Sequence, residues 1–382
     1  MNFDFAWPVF DSSDQDALMR VLQRRKWFNG GETVAFEKAY ASFQGARHGV
    51  ACTSGTTGLE VVLEALEIGP GDEVIVPPYT FVATATAVLR VGATPIFVDV
   101  DETWCMSPKA AAAAITPRTK AIMPVYFGGS MAHCDTLAEL AESHGLKLIE
   151  DACHAWGSAW QGRGAGTIGC SGVFSFQESK NLTAGEGGVI VTDDTAVAER
   201  CRSIVNCGRE EGAPWYHHIN LGTNARITEF GAAILQAQLE RYPEQLERRC
   251  ANAALLDAGL TGIPGITPQP VAPGMTRRSY HLYCLRLDSA AYGMSRADFL
   301  AAAKERGLPF VAGYPLPLYK QPLFKKFKDR FDYSTCHCPV TEALCASEGV
   351  WLTQHMLLHT EAHMAELIKG VREIGGHGIV DS

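Results

Sequence analysis

The 382-residue sequence has no apolar run near the roughly 18 residues that a membrane-crossing helix needs. The nearest approach, residues 121–129, is short and broken by Pro124. Excess positive charge is missing too: 33 basic residues against 42 acidic ones leave a formal charge of -9, so no general attraction to nucleic acid is expected. The one basic stripe, Lys320 to Arg330, reads as a solvated helical or loop face. No C-x-x-C pair occurs among the twelve cysteines, which is the usage of reduced thiols in a cytosolic protein and not of a disulfide framework. Cys336-His337-Cys338 is the only dense cluster of soft ligands. It offers three where a tetrahedral zinc site takes four at wider spacing, so no metal is expected there. The N-terminus, MNFDFAWPVFDSSDQ, lacks the basic start and continuous apolar stretch of an export signal, and a cytoplasmic location is expected.

What is present is a globular composition, 47% hydrophobic and 20% charged, long enough for one large and one small unit. Between residues 49 and 193, β-branched runs alternate with helical patterns. Strands are predicted at 73–76, 95–100, 120–125, 147–150, 172–176 and 188–192, and helices at 57–66, 80–91, 108–115 and 134–144. This alternation predicts an α/β fold with a mostly parallel central sheet, helices on both faces, and room for antiparallel strands at the end of the series. A helix from Thr228 towards Leu260 is expected to kink or break at Pro243. Residues 262–274 read as a Gly/Pro-rich linker. Beyond it, a strand at 280–287 and helices at 296–306 and 361–374 predict a smaller α+β domain. The division is 1–260 and 261–382, with a site in the cleft between them.

Three segments carry chemistry. Ser54-Gly55-Thr56-Thr57-Gly58 follows a short strand and opens a helix, where small residues and free amides suit a phosphate, although the same residues make an ordinary N-cap. In Leu148-Ile149-Glu150-Asp151-Ala152-Cys153-His154, a strand ends in a carboxylate on the ligand-binding edge of a parallel sheet. A capping role is the alternative. In Phe174 to Gly188 a strand delivers Ser175 and Lys180 into a glycine-rich turn, a place where a lysine can be desolvated for Schiff-base chemistry instead of solvating the surface. An anion-binding turn, a strand-end Asp and a Lys on a later turn together meet the needs of pyridoxal phosphate.

With these motifs the sequence resembles the fold type I pyridoxal phosphate enzymes, specifically the DegT/StrS sugar aminotransferase family. The likeness runs over nearly the whole chain, through KWFNGGETVAFEKAYA, TSGTTGLE, VPPYTFVATATAV, EDACHAWGS, SFQESKNLTAGEGG and LGTNARITEF. It implies that Lys180 is the Schiff-base lysine and Asp151 the partner of the pyridine nitrogen. It also implies that His154 contacts the phenolic oxygen, Phe81 stacks on the ring, and Cys153 packs without acting as a nucleophile. For the phosphate it implies Thr56, Thr57 and Ser175 from one subunit and Asn224 from the other copy of a homodimer. Ala225, where many relatives carry an aromatic residue, is a departure in that loop. Arg226 is a candidate for substrate binding or for bracing the loop.

Lysine at position 180 places the chain with the aminotransferases and apart from the dehydratases of this family, which carry histidine there. The wording of FSFQ, NARITEF, GYPLPLYKQPLF and CPVTEALCASEGVWL is closer to the branch that aminates keto-cyclitols and related carbocycles than to the branch acting on nucleotide-activated keto sugars. The resemblance implies glutamine or glutamate as amino donor and a polyhydroxylated ketone as acceptor, with Tyr319 as a candidate contact. A regulator that only binds the cofactor is the remote alternative.

Overall fold

The structure, a computed structural model, describes residues 2–376. Its centre is a seven-stranded sheet of β1 (His48–Cys52), β2 (Glu73–Val76), β3 (Thr94–Phe97), β4 (Thr119–Ile122), β5 (Lys147–Asp151), β6 (Ser171–Ser175) and β7 (Gly188–Thr192), in the spatial order β1-β7-β6-β5-β4-β2-β3. Pairings from β6 to β3 are all parallel, and β7 runs antiparallel to both of its neighbours. Helices cover both faces because successive residues of each strand are apolar and point in opposite directions. Val74, Val76, Ala121, Met123, Val173 and Ile190 pack with helices Gly55–Ala65, Ala83–Arg90 and Thr195–Val205. The alternate residues Ile75, Ile122, Phe174, Val189 and Val191 pack with helices Gly31–Gln44, Cys134–Ser143 and Glu229–Leu260. Parallel strands end on a common edge, so the loops after β1, β5 and β6 meet there.

A second, antiparallel sheet follows, made of β8 (Ile266–Pro268), β9 (Leu282–Leu287), β10 (Val311–Ala312) and β11 (Gly349–Thr353), in the order β8-β9-β11-β10. Tyr283, Leu285 and Leu287 of β9 share one core with Val350 and Leu352 of β11, helices Arg296–Glu305 and Glu361–Ile374, and Phe3. Leu282 and Cys284 belong instead to the core of the first sheet, and Trp351 packs against it. The sheet is thus two-sided, with one face turned towards the strand ends of its neighbour.

Two expectations are corrected. Of the kink or break expected at Pro243, the break does not occur, and the helix runs unbroken over Glu229–Leu260. Helices Ser12–Arg24, Gly31–Gln44 and Glu361–Ile374 pack along it, and the burial on either side of the proline, at Tyr242 and Leu246, outweighs a lost backbone hydrogen bond that costs about 3 kcal/mol in an isolated helix. Residues 262–274 are not only a linker, because β8 lies within them and pairs with β9. Within the stretch 261–382, residues 377–382 lie outside the described residues. In the basic stripe the phenyl ring of Phe324 is buried and Lys320 pairs with Glu342 at 3.2 Å. Cys338 is buried while His337 is exposed, and among the described residues no three His, Cys, Asp or Glu side chains are grouped to hold a metal ion. Among the same residues no helix is long and apolar enough to cross a membrane.

Candidate active site

A cavity of about 830 Å³ opens between the strand ends of the first sheet and the inner face of the second. At its floor the helix Gly55–Ala65 begins. Ser54 caps it, its hydroxyl accepting from the Thr57 amide at 3.1 Å, and the Gly58 amide donates to the Ser54 carbonyl at 2.9 Å. The amides of Gly55 and Thr56 are left without helical partners, as the first turn of any helix requires. Gly55 has no room for a side chain: a Cβ there would lie 2.8 Å from both the Cys153 sulfur and the Ser175 Cβ. The turn is therefore drawn down onto the ends of β5 and β6, beside the Ser175 hydroxyl, and forms an anion-sized cradle at a positive helix end.

Asp151 closes β5 and is almost wholly buried. Its Oδ2 accepts from the Thr84 hydroxyl at 2.7 Å and its Oδ1 from the Cys153 amide at 3.3 Å, while the Thr84 and Thr80 hydroxyls lie 3.0 Å apart. A carboxylate held in this way is fixed in place, with lone pairs left to meet a cationic N–H. Sequence reasoning missed Thr84, although TFVATATA puts it three residues after Phe81, on the helical face turned towards Asp151.

Lys180 sits in a loop that β6 and β7 hold at both ends. The Phe176 amide donates to the Gly187 carbonyl at 2.8 Å and the Glu178 amide to the Gly185 carbonyl at 3.0 Å. Gly185, at φ 82°, makes the left-handed turn that a side chain would resist. The Lys180 amine lies 5.9 Å from the centre of the Trp156 ring. Loss of hydration lowers its pKa from the ordinary lysine value, and Cys153 and Asp151 oppose that fall. Burial pushes the neighbouring Cys153 thiol well above its usual range, with Asp151 adding to the effect, which suits packing and not attack.

His154 is buried in the cavity wall with its pKa held well below the ordinary value, first by burial and then by Lys180. Its Nδ1 accepts from the Gly128 amide at 3.3 Å. Phe81, 59% exposed, lines the cavity from its open side. The second sheet and the segments around it contribute His281, Tyr314, Trp351 and His355, and the N-terminal segment contributes Phe5 and Trp7. The Trp7 indole donates to the Glu178 carbonyl at 2.8 Å. None of these six was singled out from the sequence, since none sits in a local motif that points to chemistry.

Four expected residues lie elsewhere. Thr57 does not line the cavity, because its hydroxyl turns back to Ser54 at 2.9 Å. Tyr319, named as a candidate substrate contact, does not line this cavity: it is buried against Phe97, donates to Glu342 at 2.6 Å and accepts from the Cys338 amide at 3.2 Å. Arg226 braces its loop, donating to Asn206 at 3.0 Å over the Phe28 ring. Asn224 is exposed, outside this chain's own cavity. The loop that carries it is unusually apolar on the surface, with Leu221 91%, Tyr216 78% and Trp215 74% exposed.

Residues 8–372 match the model of the DegT/DnrJ/EryC1/StrS aminotransferase family. The sequence is 38% identical over 395 residues to an L-glutamine:2-deoxy-scyllo-inosose aminotransferase of Micromonospora echinospora, covering 96% of this chain and 93% of the relative. It is 37% identical over 374 residues to a 3-amino-5-hydroxybenzoate synthase of Amycolatopsis mediterranei, covering 95% and 96%. The crystal structure of a 3-amino-5-hydroxybenzoic acid synthase superposes with a TM-score of 0.90 at 35% identity, over 99% of this chain and 100% of the other.

Proposed function

The chain belongs to the DegT/DnrJ/EryC1/StrS aminotransferase family, and from that premise we propose that it moves an amino group from glutamine, by way of pyridoxal phosphate, to a cyclic polyhydroxylated ketone of the keto-cyclitol type. One observation carries the reading. A lysine amine of lowered pKa, a pinned strand-end carboxylate and an anion cradle at a helix start all converge on one cavity.

These groups fit the cofactor. Gly55, Thr56 and Ser175 would hold its phosphate, Asp151 its ring nitrogen, His154 its phenolic oxygen, and Phe81 one ring face. When bound, pyridoxal phosphate supplies a carbonyl that exchanges between amines and a ring that takes up the electrons released at the substrate carbon. Asp151, held by Thr84 and the Cys153 amide, would keep the ring nitrogen protonated without having to move. The Lys180 amine would take a proton from the donor carbon in one half-reaction and deliver one to the acceptor carbon in the other, and its lowered pKa raises the fraction free to accept it at neutral pH. His154 and Trp156 exclude water around that amine.

Glutamine as donor and a cyclitol as acceptor rest on the inosose aminotransferase of M. echinospora. The mixed aromatic and polar wall of Tyr314, Trp351 and His281 supports a compact polyol. The exposed Asn224 and the apolar surface around it support a homodimer in which this loop completes the cavity of a second copy. A panel of ketones decides the acceptor. With glutamine, scyllo-inosose-type cyclitols should turn over faster than nucleotide-activated keto sugars, and the reverse order would move the enzyme to the sugar-nucleotide branch. Glutamate in place of glutamine tests the donor.

A further inference from the structure

His281 lies in the wall that the second sheet gives the cavity, at the point where the chain enters β9 through Tyr280, a non-glycine residue held at φ 51°. Its polar contacts fix which nitrogen carries the proton. The Asn181 amide nitrogen donates to the Ser279 carbonyl at 3.1 Å, which orients that side chain and leaves its Oδ1 3.0 Å from His281 Nδ1. An amide oxygen only accepts, so Nδ1 bears the hydrogen, and in the neutral ring Nε2 keeps its lone pair. Burial, His154 and Lys180 hold the His281 pKa well below its ordinary value, so the ring is neutral near pH 7. Among the described residues Nε2 has no protein partner.

The neighbouring ring has the opposite tautomer. His154 Nδ1 accepts from the Gly128 amide, so its hydrogen is on Nε2. The two ring centres are 4.2 Å apart, and both rings line the cavity. A locked donor and a locked acceptor therefore stand side by side. On pyridoxal, the phenolic oxygen and the aldehyde carbon sit on adjacent ring carbons. With the His154 donor serving the oxygen, the acceptor on the adjacent ring lies in the same cavity that the exchanging substrate must enter.

We infer that His281 is a specificity residue whose Nε2 accepts a hydrogen bond from one hydroxyl of the ketone substrate, and that Asn181 is the positioning residue that keeps that lone pair available. The inference rests on the proposed acceptor. A neutral, fixed acceptor favours O–H over a bare carbon at that position of the ring, because an analogue without the hydroxyl leaves a desolvated lone pair unmatched.

The test separates the two half-reactions by single-turnover absorbance of the cofactor-loaded enzyme: glutamine against the oxidised form, then ketone against the aminated form. His281→Phe should raise the ketone concentration for half-saturation about tenfold while changing the glutamine half-reaction and cofactor affinity by less than about twofold. Asn181→Ala, which keeps the ring but frees its tautomer, should shift the same ketone step about threefold and serves if the first variant does not fold. Among singly deoxygenated ketones, one should be handled equally by wild type and His281→Phe. A penalty shared equally by both half-reactions, or one that persists with every deoxygenated analogue, overturns the His281 assignment alone. Wild-type enzyme inert towards every polyhydroxylated ketone overturns the functional reading, and the assignment with it.

Discussion

The two walls of the cavity are built in different ways. On the wall of the first sheet, Gly55, Asp151, Ser175 and Lys180 sit at or just beyond the ends of strands β1, β5 and β6, each inside a short run of residues that shapes its own turn. On the opposite wall, His281, Tyr314, Trp351 and His355 come singly from segments up to 74 residues apart along the chain, the span from position 281 to 355. The first wall is held by backbone: ladder hydrogen bonds, a helix start, a loop clamped at both ends. The second depends on which face of β9 and β11 is turned inward. On the proposed function, chemistry common to a reaction class would sit on the rigid edge, and recognition of a particular substrate on side chains that can change without disturbing it.

Substitutions on the two walls should therefore separate. The largest effect is expected at Lys180→Ala, which removes the amine that moves the proton. Turnover should fall by about a thousandfold or more, and borohydride reduction followed by peptide mapping, which should label Lys180 in the wild type, should find no label on that peptide. Label on another lysine would relocate the site. Next is Asp151→Asn, which keeps shape and removes charge. We expect about a hundredfold loss of turnover with cofactor still bound through the phosphate contacts, and near-normal turnover would show that the carboxylate is not needed to hold the ring proton.

On the other wall, Trp351→Ala should raise KM for the ketone about tenfold with little change in the glutamine half-reaction. An equal loss in both would mean that the walls are not functionally distinct. The smallest effect concerns Lys180 without cofactor. Its pKa is lowered in the folded protein by desolvation, so the unfolded chain binds the extra proton and folding is penalised at pH below the folded value. Stability should rise between that lowered value and the ordinary lysine pKa of 10.5. Cofactor-free Lys180→Met should thus be more stable than wild type at pH 7, by a margin that narrows as the pH approaches 10. Denaturant midpoints across that range measure it, and a constant margin would show that the amine is not desolvated.

The contrast between the walls also explains what was legible without coordinates. The alternation of the central sheet's strands and their helices between residues 49 and 192, and the positions of Asp151 and Lys180, follow from local signals: β-branched runs, a capping Ser54, a glycine-rich turn. Each is a matter of hydrogen bonding and sterics within a few residues, so the sequence by itself determines it. Where the outcome is set by competition at long range, the same reading reached less far. Pro243 stays inside a helix because three other helices pack along it, residues 266–268 become a strand because β9 offers an edge, and Tyr319 turns to Glu342 because burial demands a partner for its hydroxyl. The hydrogen bond from His281 to Asn181 spans 100 positions in the chain. No local pattern encodes such a contact, and only the docking of the second sheet against the Lys180 loop brings the two residues together and fixes which nitrogen carries the hydrogen.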